Sequence, residues 1–186
     1  IDVGLVAAAT TVDVEATGGQ ILDAATETST ADITAGAGSA ITLTAGTGIG
    51  STTNHLEFAD GALLTAHVTG TGAIDVDGLG AITLTDVDTG AGDIDVDAVG
   101  ALTATAVDAD DGTVTLGAGG LLTATHVATT ETTETSVANI VLTTSTGGVD
   151  AVSVSSIDAV DITATLGNID VGLVAAATTV DVEATG

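Results

Sequence analysis

Short runs of alternating apolar and polar residues, each closed by glycine, recur along the chain. IDVDGLGAITLTDV starts at Ile74, IDVDAVGALTATAV at Ile94 and VTLGAGGLLTATHV at Val114, so the starting positions are evenly spaced. A related run, LEFADGALLTAHV, opens at Leu56, slightly closer to Ile74 than that spacing. Successive side chains of a strand point to opposite faces. Ile74 and Val76 therefore point inward and Asp75 and Asp77 outward; in the next strand Ile82 and Leu84 point inward and Thr83 and Thr85 outward. Val87 breaks this alternation, which predicts a corner. Strands this short cannot bury an apolar face alone. Stacking successive copies one strand spacing apart buries a continuous narrow core. The predicted fold is all-β: a parallel β-helix solenoid with rungs of about 20 residues, each holding three short strands and three turns. Ile74, Ile94 and Val114 are expected one above another.

A longer repeat is literal. Ile1 to Gly18 reads IDVGLVAAATTVDVEATG, and Ile169 to Gly186 reads the same. Residues 1–168 are thus read as one solenoid unit of about eight rungs, and 169–186 as the start of the next identical unit. The parent protein is expected to continue in both directions. Eight rungs at about 4.8 Å would give an axial repeat of roughly 40 Å. Ile1, Ile21 and Ile41 keep the spacing of the clear rungs, whereas the step from Ile41 to Leu56 is shorter. ATTETTETS, Ala128 to Ser136, reads as a loop inserted between the rungs opening at Val114 and Ile140. The long stretch from Ile140 to Ile169 predicts another expanded rung.

Charge narrows the function. The chain carries 26 Asp plus Glu, three His and no Lys or Arg, for a formal net charge of −26. Phosphate-backbone binding needs cationic side chains to displace counterions, so nucleic acid is excluded as a partner. Acidic chains of low hydrophobicity are disordered. This one is 45% apolar, with a mean hydropathy of +0.58. β-Branched residues punctuated by glycine favour ordered strands and tight turns. Phe58 is the only aromatic residue, and there is no cysteine. The longest apolar run, Leu5 to Ala9, is far too short to span a bilayer.

The outward aspartates are the candidate chemistry. Asp75 and Asp77 lie one rung period before Asp95 and Asp97, and Asp88 lies one period before Asp108, so stacking turns them into ladders. Asp86, Asp93, Asp110 and Asp111 add to the cluster. Two carboxylates about 4.8 Å apart repel by roughly 0.9 kcal/mol even in water. Ca²⁺, a hard cation taking six to eight oxygen ligands, would relieve this; a solvated acidic face screened by salt is the alternative. With no base to pair them, these aspartates are expected either to bind Ca²⁺ or to hold raised pKa values. GAGDIDVD and GTGAIDVD are similar to calcium-binding β-roll repeats but lack their nonapeptide period. Thr83/Thr85, Thr103/Thr105 and Thr123/Thr125 form a ladder like an ice-binding face, or simply outward strand threonines. His55, His67 and His126 read as surface or turn residues. Paired carboxylates alone suit glycoside hydrolysis, but repeated Asp pairs single out none, and no enzymatic activity is expected.

The pattern GAITLT, GALTAT, GGLLTAT and GDIDV resembles the repeats of filamentous-haemagglutinin-type adhesins. The resemblance implies a right-handed β-helix secreted by bacteria as a long surface filament. The expected function is therefore a structural or adhesive extracellular fibre, at the cell surface or in a biofilm matrix, whose partner is itself through end-to-end continuation. The alternative is a calcium-dependent adhesin stalk or ligand-binding repeat module; an ice-binding or carbohydrate-active β-helix comes last.

Overall fold

A computed structural model of the chain describes residues 1–25, 29–131 and 137–186. The described residues hold no helix and 22 strands, divided between a 12-stranded and a 10-stranded sheet. Every strand pairing among them is parallel; the single antiparallel contact among the described residues is an isolated bridge between Ser51 and Asn54. The chain is a β-solenoid. Its first sheet climbs through nine successive strands, from Asp2–Val3 to Val180–Ala184.

The alternating pattern sets the register. Ile74, Ile94, Val114, Ile140, Val160 and Val180 stand one above another in the first sheet, and Val76, Val96, Leu116, Leu142, Ile162 and Val182 form the ladder beside them. In the second sheet Ile82, Leu102, Leu122, Val149 and Ile169 stack in the same way, as do Val87, Val107, Val127, Val154 and Val174. Except in the last coil these residues are buried and form one continuous core. A full coil shows the three predicted strands, as in Ile94–Ala98, Leu102–Ala104 and Val107–Asp110. The corner ahead of the first-sheet strand requires glycine. A Cβ at Gly92 would lie 2.4 Å from the carbonyl oxygen of Gly72, and one at Gly112 2.1 Å from that of Gly92.

Several alignments differ from those expected. Leu56 pairs with Val76, a regular single-coil step, while Ile74 pairs with Ile49. Ile41 does not continue the ladder of Ile1 and Ile21; it lies in the second sheet between Val12 and Leu64, and Ile21 is followed by Ile49. The stretch from Ile140 to Ile169 is not expanded. Ile140 pairs with Val160, and Ile169 with Val149 in the other sheet, each at the regular period. Within the proposed inserted loop, Ala128 to Thr130 belong to the strand Val127–Thr130; residues 132–136 lie outside the described residues. At Val87 the chain stays in one strand, Ile82–Thr89, and the break in alternation is a bulge against Ala62–Val68. The expected corner appears one coil higher, between Ala104 and Val107.

The lower coils carry one irregularity that matters below. There the first-sheet strand is split: Asp2–Val3 from Val6–Ala7, Gln20–Asp23 from Ile33–Thr34, and Gly48–Ile49 from Leu56–Phe58. The halves reunite on the unbroken strand Ile74–Gly78, which pairs with both Ile49 and Leu56–Phe58. Gly50, with φ of 68°, makes the last departure; a Cβ there would lie 1.9 Å from the Asp75 carbonyl oxygen.

The two identical segments lie in opposite sheets. Val12–Ala16 is a second-sheet strand, whereas its copy Val180–Ala184 is in the first. Asp2–Val3 is in the first sheet, and its copy begins the second-sheet strand Ile169–Ala176. Seven steps up the second sheet lead from Val12 through Ile41, Leu64, Leu84, Ala104, Ala124 and Ala151 to Val171. Val180, the copy of Val12, then lies a further half-coil on, so one sequence unit advances the solenoid by seven and a half coils.

Candidate functional site: the acidic ladders and their histidines

The outward positions of the middle coils gather the predicted aspartates. Asp75 is in register with Asp95, Asp77 with Asp97, and Asp88 with Asp108. The Asp75 and Asp95 carboxylates stay within 4.8 Å of each other. The Asp97 carboxylate leans over Gly117, where a Cβ would lie 1.9 Å from its Oδ1, so the absent side chain leaves it room.

Each histidine is at least partly exposed and faces a carboxylate one coil away, a pairing that the sequence reading did not identify. His55 Nδ1 lies 2.9 Å from Asp77 Oδ1, His67 Nδ1 lies 2.5 Å from Asp88 Oδ2, and His126 Nε2 lies 3.3 Å from Asp108 Oδ1. Register explains the pairing of His67, which stands directly below Asp88. Burial draws the His55 pKa down, but the hydrogen bond to Asp77 and the charges of Asp77, Asp75 and Asp95 outweigh it and leave it above its ordinary value. Burial raises Asp75, opposed by His55 and reinforced by Asp95 and Asp93. Asp95 is raised by burial and by Asp97, again opposed by His55. Asp108 is raised by burial, opposed by His126.

Two mixed groups result, His55 with Asp75 and Asp95, and His67 with Asp86 and Asp88, each with one donor atom per residue within 4.8 Å of the others. Of the six candidate ligands, Asp75 and Asp95 join the His55 group and Asp88 the His67 group, while Asp77 pairs with His55, Asp108 with His126, and Asp97 lies over Gly117. An imidazole with two carboxylates suits a borderline transition metal better than Ca²⁺, which takes oxygen. Other aspartates serve the backbone. Asp60 Oδ1 accepts from the Ala81 amide at 2.6 Å, and Asp93 Oδ1 from the Thr113 amide at 2.8 Å. The threonine ladder is in register through Thr83, Thr103 and Thr123 and gives way to Asp150.

A groove of about 460 Å³ runs beside the first-sheet ladder, lined by Asp77, Asp97, Gly117, Thr143 and Thr165. The sequence reading also passed over a third acidic group, Asp23, Asp32 and Glu57, which is buried. Among the described residues no helix is long and apolar enough to cross a membrane. Comparison with protein-family models, with curated proteins and with solved structures finds no match for the chain.

Proposed function

We propose that this chain is a stretch of a secreted structural or adhesive fibre, of the filamentous-haemagglutinin kind, made by stacking β-solenoid coils end to end at a cell surface. The observation that carries the reading is the unbroken parallel stack: nine first-sheet strands follow one another over a single continuous apolar core. Sheet edges pair readily with another strand, and a solenoid needs no new contact type to accept a further coil. The load such a fibre bears falls on the ladders, with no catalytic group required.

In this reading each sequence unit adds seven and a half coils, about 36 Å at the usual strand spacing, and turns the next unit by half a turn. Eight coils would keep every unit in the same orientation. A tandem chain extended by a second copy of residues 19–186 tests this by cryo-electron microscopy. The expected particle is an unbroken rod in which equivalent residues of adjacent units lie on opposite sides. Compact separate bodies would refute the fibre, and units in the same orientation would refute the half-turn. The groove beside Asp77 and Asp97 favours a second reading, a ligand-binding stalk. Glycan-array binding that is abolished by Asp97→Asn would favour that reading.

A further inference from the structure

Three carboxylates meet where the first-sheet strand is split in the lower coils. Asp23 is the last residue of one half-strand, and Asp32 directly precedes the other, Ile33–Thr34. Glu57 stands one coil above Asp32, since Ile33 pairs with Phe58. All three are buried: Asp23 is 8% exposed, Asp32 3% and Glu57 0%. One oxygen from each lies within 4.8 Å of the others. Backbone amides take up part of the demand, because Ala25 N–H donates to Asp23 Oδ1 at 2.8 Å and Glu57 N–H to Asp32 Oδ2 at 3.0 Å. Asp23 Oδ2 and both oxygens of Glu57 have no hydrogen-bond partner among the described residues. Buried carboxylates are otherwise paired or hydrogen-bonded, and this chain has no Lys or Arg to pair with them.

We propose that Asp23, Asp32 and Glu57 form a buried site for one Ca²⁺ ion. The donor set is oxygen only, unlike the histidine-containing groups of the middle coils. Ca²⁺ binds oxygen at about 2.4 Å, so ligands around it lie up to about 4.8 Å apart. Mg²⁺, at about 2.0–2.1 Å, demands a tighter octahedron and keeps its waters. Both Glu57 oxygens are unsatisfied, so as a bidentate ligand it supplies one further oxygen. A bound ion would clip together the two ends of the split in one coil and the strand of the next. It would hold the first sheet in register where backbone pairing is interrupted. The inference goes beyond the fibre reading and does not depend on it.

Calorimetric titration of CaCl₂ into the chelator-stripped chain tests the site, in about 0.1 M KCl so that distant surface charges are screened. The expected result is one tight equivalent. Glu57→Gln and Asp32→Asn should each weaken it at least about 100-fold, and Asp75→Asn with Asp95→Asn should leave it unchanged. Binding that survives both site variants, binding lost with Asp75 and Asp95, or diffuse heat without saturation would overturn the proposal. Crystals grown with CaCl₂ give a readout independent of variant folding. Density between the three carboxylates supports the site, and a proton shared by Asp32 and Glu57, with no ion at saturating Ca²⁺, refutes it.

Discussion

Identical valines in different surroundings allow the effect of burial within the stack to be measured. Val12 and Val180 share the sequence TTVDVEATG, but Val12 is 5% exposed and Val180 49%. Val→Ala removes the equivalent of two methylene groups, about 0.8 kcal/mol each when fully buried. Val12→Ala should therefore cost about 1.6 kcal/mol, or somewhat more if the cavity fails to collapse. Val180→Ala removes groups already half in water and should cost roughly 0.8 kcal/mol or less. Fraying of the end coil lowers that value further, since stability in a solenoid is local to each repeat and its neighbours. Urea unfolding in dilute solution measures both costs. The signal must be far-ultraviolet circular dichroism, because the chain has no Trp or Tyr. The Val12→Ala cost should be at least twice the Val180→Ala cost. Equal costs in dilute protein would refute the burial of Val12 in the stack against the exposure of Val180 in the last coil. A Val180→Ala cost that climbs toward that of Val12→Ala with rising protein concentration would be the signature of a second copy stacking on the open end.

Two further outcomes follow from geometry and charge. In the presence of chelator the melting temperature should fall between pH 5 and pH 8. Asp75, Asp95 and Asp108 have folded pKa values above the ordinary 3.8, so the unfolded chain ionises first and stability is lost as pH rises. Glu57, at about 8, extends that loss toward pH 8, and His55, raised above 6.5, contributes stability that is full below pH 6.5 and lost above its folded pKa. A melting point that rises with pH across this window would contradict the Glu57 and His55 assignments together. Gly112→Ala should cost about 1–3 kcal/mol, because its new Cβ would meet the Gly92 carbonyl oxygen at 2.1 Å. Gly4→Ala, where nothing lies within 4 Å, should change stability by less than about 0.5 kcal/mol; similar effects from both would show that the corner is not close-packed.

Much of the fold was legible because a strand's alternation and a solenoid's period are both written in one dimension. Ile74, Ile94 and Val114 fall on one ladder because a slip of one position would turn them out of the core. The places where the reading slipped share a cause. Ile41, Ile140 and Ile169 begin runs that look alike, yet Ile41 and Ile169 lie in the second sheet and Ile140 in the first. An alternating strand fits either sheet, so its pattern does not say which one it will join. Leu56 was misaligned because Gly50 to His55 leave the sheet and rejoin it, which shifts the spacing without altering the alternation.

The candidate sites divide along the same line. Spacing alone placed Asp75 over Asp95 and Asp88 over Asp108, since like positions of like coils must stack. Only the tertiary structure brought His55 to Asp77, slightly beyond the period, and His126 to Asp108, slightly short of it, because corners and side-chain reach blur the repeat. Glu57 is the sharpest case. It is in register with Asp77 on the outward side of the first sheet, where alternation puts a carboxylate in water. Its burial comes from the split strands beside it, which bring Asp23 and Asp32 against the same face. The amino-acid sequence by itself determined the period, the core ladders and the sign of the surface charge, all local consequences of alternation and composition. The packing of one coil on the next decided which sheet each repeat joins and which carboxylates leave water, because both depend on path lengths that no single repeat contains.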